Sequence, residues 1–397
     1  MKEITAGPRY KLPVSSKELQ RRRDAVQAAM KAKDVDMIVA NVHSDIFDNY
    51  IRYFIDQPAH HYSTTLLIPA EGDLIIIQHG DTNDNMPLFP WARGVEKIVA
   101  RPFCQPFDFT YYDASTVAVA EIKKRGCKKV GLLGLNLMSA AFYKGVTAGL
   151  EGIELVDFSN DVDEIIAVKS DEEKVLLDKC VRAHEKLIAA VPALLYPGRR
   201  EHEIRSDILH LASDMGCDYM GNLGVGSAKP GEPCMFQQHF NGNRVLEEGD
   251  NITIMIEAAG PGGMYGELCR TWTLGKPDEG LKKAWKLGFD IQAELAKNML
   301  PGVKACKINA LYNKLCADAG LPENKRYFGR GQGYDMMERP AFSDREQMAF
   351  KKDMFVAIHP EFRTATDFVC ACDNFIITDE GAVRMTRTAQ EVFEVEL

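Results

Sequence analysis

Residues Gly249–Gly275 read GDNITIMIEAAGPGGMYGELCRTWTLG. Gly249-Asp250 marks a turn, and Ile252, Ile254 and Ile256 then recur at every second position, the period of a half-buried strand. A connection rich in Gly and Pro, Gly260 to Gly263, leads into a second strand-like run, Tyr265–Leu274. The spacing predicts a β-hairpin with a glutamate on each arm, Glu257 and Glu267, and an Arg270-Thr271 pair on the second arm.

Three downstream stretches belong with the hairpin in one ordered set of motifs. They are Gly329-Arg330-Gly331-Gln332-Gly333, Met354-Phe355-Val356-Ala357-Ile358-His359-Pro360 and Cys372-Asp373-Asn374-Phe375-Ile376-Ile377-Thr378. Upstream stands Ala167-Val168-Lys169-Ser170-Asp171-Glu172-Glu173. In this order the motifs resemble those of the pita-bread hydrolase family, which includes creatinase, prolidase, aminopeptidase P and methionine aminopeptidase. The resemblance covers roughly residues 162–397 and is specific because several separate motifs keep their order. It implies an α+β pita-bread C-terminal domain with a pseudo-twofold repeat, behind an α/β N-terminal domain of the creatinase/prolidase type. In metal-dependent members the corresponding positions hold two Asp, one His and two Glu around a pair of divalent ions. Here they hold Glu257, Glu267, Arg330, His359 and Cys372.

Those substitutions set the chemical expectation. A guanidinium stays protonated and offers no lone pair, so Arg330 cannot ligate a metal. The expected centre therefore has no metal and no cofactor. A single ion on Glu257, Glu267, His359 and Cys372 is the alternative, and that mixed set suits zinc or iron. Creatinase works without a metal, and its acid/base His lies just before the hairpin, where this chain has His239. An imidazole is suited to take and return a proton near neutral pH. Creatinase also has glutamates where this chain has Cys269 and His359, so creatine itself is not the expected substrate.

The expected function is thus a metal-independent, creatinase-like hydrolase that cleaves a C–N bond of a small zwitterionic amidino or amide compound. His239 moves protons, and Glu257 and Glu267 orient a cationic group or the attacking water. Arg330, with Arg339 or Arg363 behind it, grips a carboxylate. Arg270, His359 and Cys372 complete the pocket wall, and the resemblance to creatinase, where a loop of the neighbouring subunit's small domain reaches the site, implies that His60, His61 and Tyr62 close it. The alternatives are a lyase or mononuclear-metal enzyme of the same fold, similar to dimethylsulfoniopropionate lyase or Xaa-Pro dipeptidase, and a non-catalytic binding protein.

Composition is consistent with an enzyme of small molecules. The 397 residues carry a net charge of −9, which argues against nucleic acid or an anionic membrane as partner. No run approaches the ~18 apolar residues of a membrane span, and the first twenty residues lack a signal-peptide core. Ten Cys without paired metal-ligand spacing read as reduced thiols in a cytoplasm. The resemblance implies a homodimer.

Periodicity predicts an N-terminal α/β domain over residues 1–160, with a helix from Ser16 to Lys33 and a hairpin of Ser63–Ile68 and Asp73–Gln78. The second domain, 161–397, opens on a helix capped by Ser170, with Glu173 three residues later. Pro197-Gly198 and Pro301-Gly302 each follow a long helix, which hints at an internal repeat.

Overall fold

The computed structural model of the chain describes residues 12–43, 47–59, 62–89, 92–236, 242–322 and 326–397. They divide into two compact units, Pro13–Ile166 and Ala167–Leu397. The division lies at 166/167 rather than 160/161, because the helix over residues 159–166 belongs with the first unit.

That unit comprises α1 (Ser16–Ala32), β1 (Met37–Val42), α2 (Asn49–Ile55), β2 (Thr64–Pro69), β3 (Leu74–His79), β4 (Asn83–Met86), β5 (Val95–Arg101), α3 (Asp108–Lys124), β6 (Lys129–Leu133), α4 (Ala140–Gly149), β7 (Glu154–Asp157) and α5 (Ser159–Ile166). Among the described residues the strands form one mixed sheet in the order β4-β5-β3-β2-β1-β6-β7. The expected hairpin is β2–β3, antiparallel with Leu66 opposite Ile76. Parallel pairing of β1 with β6 and of β6 with β7 supplies the α/β character. Val39, Leu67, Ile75 and Leu132 of the sheet bury against Ala118 and Ile122 of α3 and Phe142 of α4. Alternation of strand and amphipathic helix was enough to foresee this layer.

The second unit begins with α6 (Asp171–Ala190). Ser170 accepts the N–H of Glu173 at 3.2 Å, and the Glu173 carboxylate accepts the N–H of Ser170 at 2.8 Å, so the foreseen capping box is complete. Ser170→Ala should lower the stability of this unit by about 1 kcal/mol, read as a reduced urea midpoint with an unchanged slope. Next come α7 (Glu201–Asp214), β8 (Tyr219–Ala228), β9 (Asn251–Ala259) and β10 (Tyr265–Leu274), then α8 (Glu279–Asn298) and α9 (Ala305–Asp318). The remaining strands are β11 (Gly329–Gly331), β12 (Glu338–Ala341), β13 (Phe355–Ile358), β14 (Glu361–Arg363), β15 (Phe368–Cys370), β16 (Asp373–Thr378), β17 (Gly381–Arg384) and β18 (Val392–Val395). Two sheets carry the site, ordered β18-β10-β9-β8 and β12-β11-β13-β16-β17.

The internal repeat is visible in the hydrogen bonding. After the first helical pair begins, Gly198 donates its N–H to Leu246 at 2.9 Å; in the second half Gly302 donates to Phe350 at 2.9 Å. Both glycines have positive φ, 94° and 89°, a conformation that a side chain disfavours. Each Pro-Gly thus lies between two helices and bonds a later segment of its own half in the same way, Leu246 and Phe350 returning their N–H to Arg199 and Val303. Ile252, Ile254 and Ile256 of β9 bury against Ile204 and Ile208 of α7, but the other face of β9 is buried as well, so the strand is fully rather than half buried. The second half packs Leu295 of α8, Ile308 and Tyr312 of α9 against Val356 and Ile358 of β13. Among the described residues no helix is long and apolar enough to cross a membrane.

Candidate active site

The hairpin places its two carboxylates face to face. In the antiparallel pairing of β9 and β10, Glu257 lies directly opposite Glu267. The peptide of Glu267 turns both its N–H and its C=O away from β9, towards Asn374. Glu257 and Glu267 are therefore a non-hydrogen-bonded pair, the position at which cross-strand side chains approach most closely. Both are almost wholly buried.

Arg330 enters this pair from β11 of the other sheet. Its Nη2 bonds Glu257 Oε1 and stands 3.0 Å from Glu267 Oε2, while Nη1 meets His359 Nε2. His359 Nε2 is also 4.0 Å from Glu267 Oε2. β11 and β13 are antiparallel neighbours, with Arg330 opposite Ala357, which brings residue 359 alongside the guanidinium. Gln332, two residues beyond Arg330, donates to Glu257 Oε1 at 3.2 Å and to the Met336 carbonyl at 3.1 Å. Asn222 of β8 donates to the other Glu257 oxygen at 3.3 Å.

Electrostatics separates the two glutamates. Burial, reinforced by the neighbouring Glu267, pushes the Glu257 carboxyl up to about 7 against the pull of Arg330. Burial acts on Glu267 as well, but Arg330, His359 and a hydrogen bond from Cys372 outweigh it and hold that carboxyl below the usual range. Burial lowers His359 to about 4, so its ring is neutral at physiological pH. The Cys372 thiol is driven well above its ordinary value by burial and by Glu267, and it stays protonated. One carboxyl able to take or give a proton near neutral pH, one ionised carboxylate and one fixed cation therefore share the centre. Three polar atoms there are buried without a hydrogen-bond partner: Arg330 Nε, Gln332 Oε1 and Glu267 Oε2, of which the last still lies 3.0 Å from Arg330 Nη2.

The structure brings together Glu257, Glu267, Arg330, His359 and Cys372, as the motifs implied, but gives several of them different work. Arg270 does not face a substrate. It is fully buried and donates to Asp373 at 2.7 Å and to the carbonyls of Cys269, Cys372, Thr388 and Ala389. Cys372 is likewise sealed, and it serves Glu267 rather than a ligand. Arg339 is committed to Glu346 at 2.6 and 2.9 Å, and Arg363 lies exposed on β14, so neither backs Arg330. The expected division into an acidic end and a guanidinium end is absent, because Arg330 pairs with both glutamates. Tyr62 packs against His79 within the first unit, the ring centroids 4.6 Å apart and the planes tilted by 41°. His60, His61 and His239 lie outside the described residues. Gln332 and Asn222 were missed: Gln332 sits inside a recognised motif, whereas nothing in the spacing of β8 singles out Asn222.

Convergence of five ionisable side chains from two pseudo-symmetric sheets defines the class of this centre. Residues 175–389 match the model of metallopeptidase family M24, and the chain belongs to that family. It is 27% identical over 300 residues to a probable dipeptidase PepE of Mycobacterium bovis, an alignment covering 70% of this chain and 78% of the relative. With the Xaa-Pro dipeptidase of Pyrococcus horikoshii it shares 22% over 277 residues, covering 66% and 75%. The solved dipeptidase PepE of Mycobacterium ulcerans superposes with a TM-score of 0.76 at 21% identity, covering 97% of this chain and 100% of that one. An X-Pro aminopeptidase of Thermotoga maritima gives 0.77 at 14%, with 94% and 99% covered.

These findings correct the expectation of a metal-independent, creatinase-like enzyme for amidino zwitterions: the family is described as metallopeptidases, and the curated relatives are named as peptidases. The family description implies metal ions, yet the donor set does not fit a pair of them. A guanidinium occupies the space between the carboxylates, Cys372 holds its proton, and His359 points its Nε2 at Arg330. Among the described residues no group of three or more His, Cys, Asp or Glu is arranged to hold a metal ion.

Proposed function

We propose that the chain hydrolyses short peptides, with dipeptides as the substrate class. Family membership and the names of the relatives support the peptide bond as target. The observation that carries the reading is the buried Glu257–Arg330–Glu267 cluster with two unused polar atoms beside it. In this reading Glu257, whose carboxyl titrates near neutrality, accepts a proton from the attacking water. The water oxygen bonds to the peptide carbon, and the developing oxyanion meets the free Nε–H of Arg330. The C–N bond then breaks as Glu257 returns the proton to the leaving amine. Gln332 Oε1, an acceptor without a partner, receives a substrate N–H.

Glu267 stays ionised throughout and fixes Arg330, so that the guanidinium keeps its position as charge develops. The test is a dipeptide panel, Xaa-Pro and non-proline, scored for released amino acids with and without added manganese or cobalt. Cleavage of at least one dipeptide class in either condition is expected. Absence of cleavage for every dipeptide in both conditions would reject the proposal.

A further inference from the structure

The two halves of the centre arrive on different sheets. Glu257 and Glu267 stand on β9 and β10, whereas Arg330 and His359 belong to β11 and the end of β13. A hydrolytic centre of this kind requires the sheets to be held in register, since about 1 Å of misplacement costs about 10²-fold in rate. The outer edge of β10 offers little backbone pairing for that purpose. β18 pairs with it only from Thr271 onward, and before that point Cys269 makes an isolated bridge with Cys372.

Asn374 fills the gap. Its Oδ1 accepts the Glu267 N–H at 2.9 Å, and its Nδ2 donates to the Glu267 C=O at 2.8 Å. The side-chain amide thus replaces one peptide of a missing strand and satisfies both backbone groups of the residue whose carboxylate fixes Arg330. Asn374 is wholly buried on β16, opposite Ala357 of β13, which itself lies opposite Arg330. Its own N–H donates to Thr386 Oγ1 at 3.1 Å. The chain of register therefore runs from Glu267 through Asn374 and Ala357 to Arg330. Gly266 permits the approach: a Cβ there would lie 3.3 Å from Asn374 Oδ1 and 3.2 Å from Cys180 Sγ.

We infer that Asn374 is a positioning residue, which fixes the Glu267 peptide against the five-stranded sheet and so sets the carboxylate pair at the right distance from Arg330. The inference rests on the dipeptidase reading. Asn374→Leu keeps the volume and removes both bonds; Asn374→Asp keeps the acceptor and removes the donor. On a dipeptide that the wild type cleaves, both variants should lose about 10²-fold in kcat, with KM changed by less than about threefold, at temperatures where each is fully folded. The Glu267 amide should also exchange its hydrogen faster in Asn374→Leu. Unchanged kcat in folded variants, or a loss confined to melting temperature, would overturn the positioning role. Should the wild type cleave no dipeptide, the functional reading fails by itself. Exchange at the Glu267 amide still decides the clamp, faster exchange in Asn374→Leu supporting it and equal exchange rejecting it.

Discussion

Arg330→Met is expected to destabilise the second unit by about 3–5 kcal/mol at pH 8, the usual cost of removing one partner from a buried ionic cluster. The guanidinium is the counter-ion of both Glu257 and Glu267, each nearly sealed from water, so its loss leaves two carboxylates facing each other without compensation. Protonation relieves that repulsion, and the penalty should therefore shrink as the pH falls towards 5. Calorimetry of the unit's own transition at the two pH values reads both effects. An equal, small shift at pH 5 and pH 8 would mean that Arg330 is not the partner of the glutamates in solution.

Glu257→Gln should lower kcat on a cleaved dipeptide by about 10²–10⁴-fold while KM changes little, because the amide preserves the side chain's shape but cannot accept the water proton. The same substitution has a signed effect on stability. The folded-state pKa of Glu257 is raised to about 7, above the ordinary ~4.3 of an unfolded glutamate. Its proton therefore favours the folded state fully below about pH 4, and that contribution is lost as the pH rises through about 7. Glutamine carries no such dependence, so the variant should gain on the wild type in melting temperature between pH 5 and pH 8. A variant that retains near-native kcat would move the proton carrier to another group.

The fold was legible because its signals are local. Isoleucines at 252, 254 and 256 fixed a strand face, Ser170 and Glu173 fixed a helix start, and each Pro-Gly fixed a helix end. The membership of the centre was legible too, since motif order brought Glu257, Glu267, Arg330, His359 and Cys372 to one place. Their roles were not. Whether Arg330 grips a ligand or its own neighbours depends on the distance between two sheets, which no spacing along the chain encodes. Arg270 was misread although strand geometry held the clue: three residues from Glu267, it leaves the strand on the opposite face. Asn374 is equally hidden, because an asparagine inside an apolar strand announces burial of a polar group but not its partner.

The bias towards creatinase arose from the same limit. Arg330 at a ligand position leads to the expectation of a metal-independent, creatinase-like enzyme, whereas the family and the named relatives point to peptides. The donor set still departs from the family description, and that departure is visible in the guanidinium between the carboxylates.

The central claim is that Glu257, held near neutrality in a cluster built on Arg330, moves the proton in peptide hydrolysis. The pH dependence of kcat/KM for a cleaved dipeptide, followed from about pH 5 to pH 9, tests it most directly. The expected profile is a rise governed by one group with an apparent pKa of about 7, absent from the residual activity of Glu257→Gln. A wild-type profile that is flat across that range, or a rise near 7 that persists in Glu257→Gln, would contradict it.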